Sequence, residues 1–139
     1  MLVKEIMTKK VITIKVNNTI FDACCKYRDY NVGCLIVIDK KSCVGIVTER
    51  DLIERTICLH KTPEKTKISE IMSSDIKTIH PLETLEKASQ LMNMFKIKKL
   101  PVITDNYLVG IITITDIARA RPELTERFME SWVKPRWED

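Results

Sequence analysis

Glycine, histidine and aromatic side chains are all scarce: three glycines and two histidines occur in 139 residues, and aromatics make up 6%. So little glycine excludes a collagen-like or glycine-rich architecture. Two histidines, His60 in a polar stretch and His80 beside a proline, read as linker and turn surface and leave no HExxH helix or zinc-finger pairing. The five cysteines (Cys24, Cys25, Cys34, Cys43, Cys58) include no CxxC and no Cys/His ligand spacing, so neither a disulfide framework nor a metal site is expected. They read as small buried hydrophobes. No apolar run approaches the roughly 20 residues of a helical membrane span, and the opening MLVKEIMTKK lacks the apolar stretch of a signal peptide. A cytoplasmic chain with no membrane partner is the expectation.

Catalytic signatures are missing as well. There is no Gly-x-Ser-x-Gly, no GxGxxG and no P-loop. Asp51 and Asp116, at matched motif positions, could in principle form a catalytic pair, but nothing supplies a matched base or nucleophile around them. The chain therefore reads as no enzyme. A net charge of +4 tolerates an anionic ligand, but without an RNP, KH, zinc-finger or basic-helix signature it argues against a nucleic-acid partner.

What is present is ordinary globular composition, 45% hydrophobic and 30% charged, in a length suited to one well-cored domain or two half-sized units. A repeat organises it. At an offset of 65 residues, Val3 to Leu52 lies over Ile68 to Ile117 without a gap, and 15 of the 50 positions are identical. The identities include Glu5/Glu70, Met7/Met72, Thr19/Thr84, Gly45/Gly110, Thr48/Thr113 and Asp51/Asp116. Polar and turn positions repeat alongside apolar ones, which a shared hydrophobic pattern alone would not produce.

In the first copy Val11 to Val16 reads as a strand, followed by an Asn17-Asn18 turn and a helix capped by Thr19, with Asp22 three residues on as in a capping box. Ile20, Ala23, Cys24 and Tyr27 form one apolar stripe on that helix, which runs to about Tyr30. Leu35 to Ile38 and Val44 to Val47, split by Asp39-Lys-Lys-Ser42, read as a hairpin, and a second helix begins at Glu49. The second copy repeats the plan: a strand near Ile76 to Ile79, a helix over Thr84 to Phe95, strands at Leu100 to Ile103 and Val109 to Thr113, and a helix from Ile114. The unit is β-α-β-β-α. One such unit leaves a sheet face bare, so the two copies are expected to bury it together.

Each copy ends its last strand on one phrase, Gly45-Ile-Val-Thr48-Glu-Arg-Asp51 and Gly110-Ile-Ile-Thr113-Ile-Thr-Asp116. Thr-x-x-Asp at a strand-to-helix junction serves as a helix cap. The preceding glycine lets a ligand or a second backbone come close, and a carboxylate beside a helix start suits ribose hydroxyls and phosphate. Local chemistry leaves both readings open.

Together the tandem βαββα plan, the openings Val3-Lys-Glu-Ile-Met7 and Ile68-Ser-Glu-Ile-Met72, the Leu100-Pro101-Val102 triplet and the G-h-h-T-x-x-D phrases resemble the CBS (cystathionine β-synthase) domain pair, or Bateman module, over about residues 2 to 121. The resemblance implies an α+β fold of two repeats related by a pseudo-twofold axis and packed sheet to sheet. It also implies clefts that take AMP, ADP, ATP or S-adenosylmethionine as ligands rather than catalytic cofactors. In one cleft it gathers Thr113, Thr115 and Asp116 with Thr8, Val11, Ile12, Val32, Gly33 and Lys99. In the other it gathers Thr48, Arg50 and Asp51 with Ser73, Ile76, Lys77 and Lys98. By the same resemblance the aspartates hold ribose, and the Thr and basic side chains meet phosphate. The halves are unequal: Thr115 stands where the first copy has Arg50, and Gly33, Cys34 and Ile36 stand where the second copy has Lys98, Lys99 and Pro101.

The expected organisation is repeat one over 1–59, a linker over 60–67 (HKTPEKTK), repeat two over 68–121 and an amphipathic tail over 122–139 carrying Leu124, Phe128, Trp132 and Trp137. The implied role is sensing of energy or metabolite state for a separate regulated protein, with a homodimer formed through the helices. The alternatives are an interaction module with degenerate clefts and, behind it, a nucleic-acid-binding module.

Overall fold

The computed structural model describes residues 1–126; the tail positions Phe128, Trp132 and Trp137 lie outside them. The chain is α+β, in the order α1 (Val3–Ile6), β1 (Thr13–Lys15), α2 (Ile20–Tyr30), β2 (Cys34–Asp39), β3 (Ser42–Thr48), α3 (Glu49–Leu52), a π-helical turn (Ile53–Ile57), α4 (Ile68–Ile71), α5 (Leu85–Phe95), β4 (Lys99–Thr104), β5 (Tyr107–Thr113), α6 (Ile114–Ala120) and a 3₁₀ turn (Pro122–Thr125). Two copies of the expected plan are therefore present.

Local chemistry accounts for the main boundaries. Thr19 caps α2 reciprocally with Asp22: the Asp22 N–H donates to Thr19 Oγ1 at 3.2 Å and the Thr19 N–H to Asp22 Oδ2 at 2.9 Å. Thr84 caps α5 at 3.1 Å through the Lys87 N–H. Both helices end on a left-handed residue, Asn31 at φ 51° and Lys96 at φ 54°. β2 and β3 pair antiparallel with Val37 opposite Gly45, and β1 lies parallel to β2 with Thr13 opposite Ile36. The second hairpin turns on Asp105-Asn106, both at positive φ, as a tight two-residue connection requires.

The strand expected at Ile76 to Ile79 shrinks to a single bridge between Ile79 and Val102. Two prolines explain the difference. In repeat one the Val16 N–H donates to the Ile38 carbonyl at 3.2 Å and the Ile36 N–H to the Ile12 carbonyl at 3.4 Å. The corresponding positions in repeat two are Pro81 and Pro101, which have no N–H to give. Only the bonds around Ile79 survive, from its N–H to the Pro101 carbonyl and to its carbonyl from the Ile103 N–H.

The chain divides into two compact units that do not coincide with the two repeats. The first comprises Met1–Lys9, Lys77–Asp105 and the described residues from Val109; the second comprises Lys10–Ile76 and Asn106–Leu108. In the first unit Val3 is fully buried among Leu85, Ala88, Met92, Leu100, Val102, Ile112 and Ile117. In the second, Ile68 and Ile71 are buried among Ile14, Ile20, Ala23, Leu35, Val37, Val47 and Leu52. The opening helix of each repeat thus completes the core built by the body of the other.

Its docking is the same in both units. The Val3 N–H donates to the Glu83 carbonyl at 2.8 Å, and the Ile68 N–H to the Asn18 carbonyl at 2.8 Å, a pair of bonds related by the repeat offset. Glu5 and Glu70 reach back to the N–H groups of Leu2 (2.5 Å) and Lys67 (2.6 Å), closing the N-termini of α1 and α4. That explains why a glutamate recurs in the opening phrase.

Two details depart from the sequence expectations. Of the cysteines only Cys34 is buried; Cys24 and Cys58 are exposed and Cys25 and Cys43 lie between. Cys24 sits at the edge of the α2 stripe, where Ile20 and Ala23 take the core, and it lines a shallow apolar groove with Tyr27, Ile53 and Ile57. The second detail is the π-helical turn that follows α3, where repeat two continues α6 only to Ala120 and then enters a 3₁₀ turn at Pro122. It buries Thr56 completely and leaves its hydroxyl without a hydrogen-bond partner among the described residues. An unsatisfied buried hydroxyl costs about 1–3 kcal/mol, so Thr56→Val is expected to raise stability by about 1 kcal/mol in thermal denaturation. A destabilised variant would show that the hydroxyl is paired.

Candidate functional site

The recurring phrase is a strand end turning directly into a helix. Thr48 closes β3 as the N-cap of α3: its Oγ1 accepts the Asp51 N–H at 3.2 Å, and its own N–H donates to Asp51 Oδ2 at 2.9 Å. Thr113 and Asp116 do the same at β5 and α6, at 3.1 and 2.9 Å. The capping reading is therefore realised at both junctions. It uses one carboxylate oxygen of each aspartate and leaves Oδ1 for other partners, so capping and ligand binding are compatible.

The glycines answer to a backbone rather than to strain. A Cβ on Gly45 would stand 2.8 Å from Met72 Sδ and 2.9 Å from the Ser73 carbonyl oxygen; one on Gly110 would stand 2.7 Å from Met7 Sδ and 2.9 Å from the Thr8 carbonyl oxygen. Just beyond each glycine the strands pair. Ile46 and Ser73 exchange two bonds at 3.0 Å, and Ile111 and Thr8 exchange two at 2.9 Å. The segment that follows each opening methionine thus runs beside the last strand of the other repeat.

Tyr27 anchors the first junction. Its hydroxyl donates to the Val47 carbonyl at 2.6 Å, one residue before Thr48, and burial raises its pKa well above the ordinary phenol value. It stays a neutral donor throughout the physiological range. The helical stripe in the sequence places Tyr27 inward, but nothing there signals this bond.

The expected site residues distribute as follows. The first unit holds Thr113, Thr115 and Asp116 together with Thr8, Lys77, Lys98 and Lys99; the second holds Thr48, Arg50 and Asp51 together with Val11, Ile12, Val32, Gly33, Ser73 and Ile76. Asp51 and Asp116 are half-buried, while Thr8, Arg50, Lys98 and Thr115 are exposed. The Lys98 carbonyl accepts the Ile114 N–H at 2.8 Å, which fixes the Lys98-Lys99 pair beside the start of α6. Lys77 lies over the Phe95 ring, 4.6 Å from its centroid. The Arg50 Nε donates to Glu54 Oε1 at 2.7 Å in an exposed pair, and that hydrogen bond raises the arginine pKa.

One participant escaped the sequence reading. Arg55, in the π-helical turn, places Nε 3.7 Å from Asp51 Oδ1 and donates from Nη1 to the Ile71 carbonyl at 3.0 Å. The repeat offset puts Ala120 at the matching position, and comparing the copies four residues past each aspartate would have found it.

Among the described residues no group of three or more His, Cys, Asp or Glu side chains is placed to hold a metal ion, and no helix is long and apolar enough to cross a membrane.

The family model for the CBS domain matches this chain twice, over residues 3–57 and 68–123. The CBS domain-containing protein YhcV of Bacillus subtilis is 37% identical over 116 residues, spanning 84% of this chain and 82% of its own length. Among solved structures, the CBS domain pair of protein MJ0100 in complex with 5′-methylthioadenosine and S-adenosyl-L-methionine superposes with a TM-score of 0.75 at 31% identity, covering 86% of this chain and 98% of that one. A hexameric CBS-CP12 protein from bloom-forming cyanobacteria gives a TM-score of 0.71 at 28% identity, covering 100% of this chain and 80% of that one.

Proposed function

We propose, from the premise that this chain belongs to the CBS domain family and carries the domain twice, a regulatory role in which its Thr-x-x-Asp motifs bind adenosine-containing nucleotides without acting on them chemically. The observation that carries this reading is the duplicated Asp51/Asp116 arrangement: each carboxylate spends Oδ2 on its cap and turns Oδ1 away from it as the acceptor for a ribose hydroxyl, with Arg55 facing that oxygen at Asp51. The methylthioadenosine and S-adenosylmethionine of the MJ0100 pair support an adenosine ligand. AMP, ADP, ATP and S-adenosylmethionine are the candidates.

The remaining roles follow from side-chain chemistry. Thr48, Thr113 and Thr115 offer hydroxyls, and Arg50, Lys77, Lys98 and Lys99 offer cations for a phosphate or sulfonium-linked carboxylate. Val11, Ile12, Val32, Gly33 and Ile76, with the backbone at Thr8 and Ser73, offer apolar and backbone surface to the adenine. Ligand binding regulates by favouring one conformation, to the extent that its affinity for the two conformations differs. The readout is a separate protein or a second copy of this chain, and a homodimer is the assembly expected in sedimentation. The cytoplasm, where these nucleotides are abundant, is the compartment that suits such a sensor.

Isothermal titration of the purified chain with AMP, ADP, ATP and S-adenosylmethionine, against adenosine and GTP, tests the reading. Saturable binding of an adenine ligand that disappears when Asp51 and Asp116 are both changed to Ala is the expected result. Silence across the panel would leave an interaction module whose motifs serve only as caps. Arg50→Ala is expected to weaken AMP and ATP about threefold to tenfold, as loss of a partly exposed charge-assisted contact does, and to leave adenosine unchanged. Equal losses for all three ligands would remove Arg50 from the phosphate role.

A further inference from the structure

The two motif aspartates are built alike and partnered differently. Asp51 Oδ2 accepts the Thr48 N–H and its Oδ1 faces Arg55 Nε at 3.7 Å, so both oxygens are engaged, and the side chain is only 15% exposed. Asp116 Oδ2 accepts the Thr113 N–H, and among the described residues Oδ1 has no partner. The difference comes from one position, where repeat one has Arg55 and repeat two has Ala120.

Arg55 is held there. Its Nη1 donates to the carbonyl of Ile71, the last residue of α4 and two residues before Ser73, which pairs with Ile46 on the motif strand. The π-helical turn carries Arg55 within reach of both acceptors, and π turns recur where a helix is adapted to a site. The guanidinium therefore ties the motif carboxylate of the second unit to the segment that runs beside its motif strand. The first unit has no such tie at Ala120.

Building on the nucleotide-binding reading above, we propose that Arg55 makes the two motifs unequal binders: it occupies Asp51 and must be displaced by a ribose hydroxyl there, while Asp116 is open and fills first. Arg55 is a positioning residue in this scheme, acting on the ligand only through Asp51. Because its side chain is 51% exposed, the competition it imposes is that of a partly solvated ion pair, about threefold to fivefold in affinity.

The test isolates each motif with the ligand of the panel that the unaltered chain binds most tightly. In an Asp116→Ala background, which leaves the Asp51 motif, adding Arg55→Ala is expected to tighten binding threefold to fivefold, and Arg55→Lys, which keeps the charge, to restore most of the weaker affinity. In an Asp51→Ala background, Ala120→Arg is expected to weaken binding by a similar factor. Tighter binding cannot come from a damaged fold, so the first result separates positioning from a structural role. If Arg55→Ala leaves affinity unchanged or lowers it while the Asp116→Ala chain still binds, this proposal is overturned and the nucleotide reading stands. A loss confined to phosphorylated ligands would overturn it in favour of a direct phosphate contact. No binding by the unaltered chain to any of the four ligands overturns both together.

Discussion

Replacing Gly110 with Ala is expected to destabilise the protein by about 1–3 kcal/mol, the range for forcing extra volume into a close-packed site, and to lower its melting temperature by several degrees. The reason is space, since no glycine among the described residues adopts positive φ. An added Cβ meets Met7 Sδ at 2.7 Å and the Thr8 carbonyl oxygen at 2.9 Å. The thioether can swing aside on its flexible chain. The carbonyl cannot, because the same Thr8 residue exchanges both of its backbone bonds with Ile111, one residue along the strand. Relief must come from parting that pair, so hydrogen exchange at the Thr8 and Ile111 amides should accelerate before the rest of the unit. Gly45→Ala should match it through the Ser73 carbonyl. If neither variant moves the melting temperature, the opening segments do not lie against the motif strands as described. Since Thr8 and Ser73 lie on the segments expected to line the adenine, nucleotide affinity should fall along with stability.

Much of this was legible in the chain. The 65-residue offset places the major helices and both hairpin strands twice, with only β1 reduced to a bridge in the second copy, and Thr19, Thr48 and Thr113 announce helix starts because a hydroxyl followed three residues later by a carboxylate can satisfy two orphan N–H groups at once. The recurrence of glycine before the motif correctly called for a close approach. Which partner approached was not readable, because pairing between distant segments, Ile46 with Ser73 and Thr8 with Ile111, leaves no local signature. For the same reason the repeats of the sequence differ from the units of packing: α1 and α4 are four-residue helices whose apolar positions show that they bury a face but not against which body. Proline had readable consequences that needed the register to interpret. Pro81 and Pro101 shorten a strand only because the missing N–H groups fall at ladder positions. The division into repeat one, linker, repeat two and tail remains our proposal for the chain's evolutionary units, alongside the packing units.

The asymmetry of the motifs shows where pattern and chemistry part. Duplication suggests twin sites, and the geometry of Thr48/Asp51 and Thr113/Asp116 agrees to within 0.1 Å in both hydrogen bonds. Yet the side chains proposed to meet a ligand have diverged around that frame: Arg50 against Thr115, Arg55 against Ala120, Gly33 against Lys98. Caps are constrained by backbone geometry and so persist in both copies. Positions beyond the cap are constrained only by what they contact, which left each copy free to diverge there.

Changing Asp116 to Ala is expected to weaken the tightest-binding adenosine ligand at least tenfold at the Asp116 motif, read in an Asp51→Ala background, because a hydrogen bond to a charged group contributes about 1.5–3 kcal/mol and tenfold corresponds to about 1.4 kcal/mol. The same change removes the acceptor of the Thr113 N–H, and loss of a cap costs about 0.5–2 kcal/mol of stability. Asp116→Asn separates the two effects. Its amide oxygen can still accept the Thr113 N–H and hold the cap, while the charge is gone and an NH₂ donor now faces the ribose. It should melt close to the unaltered chain and bind nearly as weakly as the alanine variant. Calorimetric titration paired with thermal denaturation reads both quantities. Retained affinity in a folded Asp116→Ala chain would reduce Asp116 to a helix cap and move the ligand elsewhere, whereas weak binding by a fully stable Asp116→Asn chain would assign the carboxylate to the nucleotide.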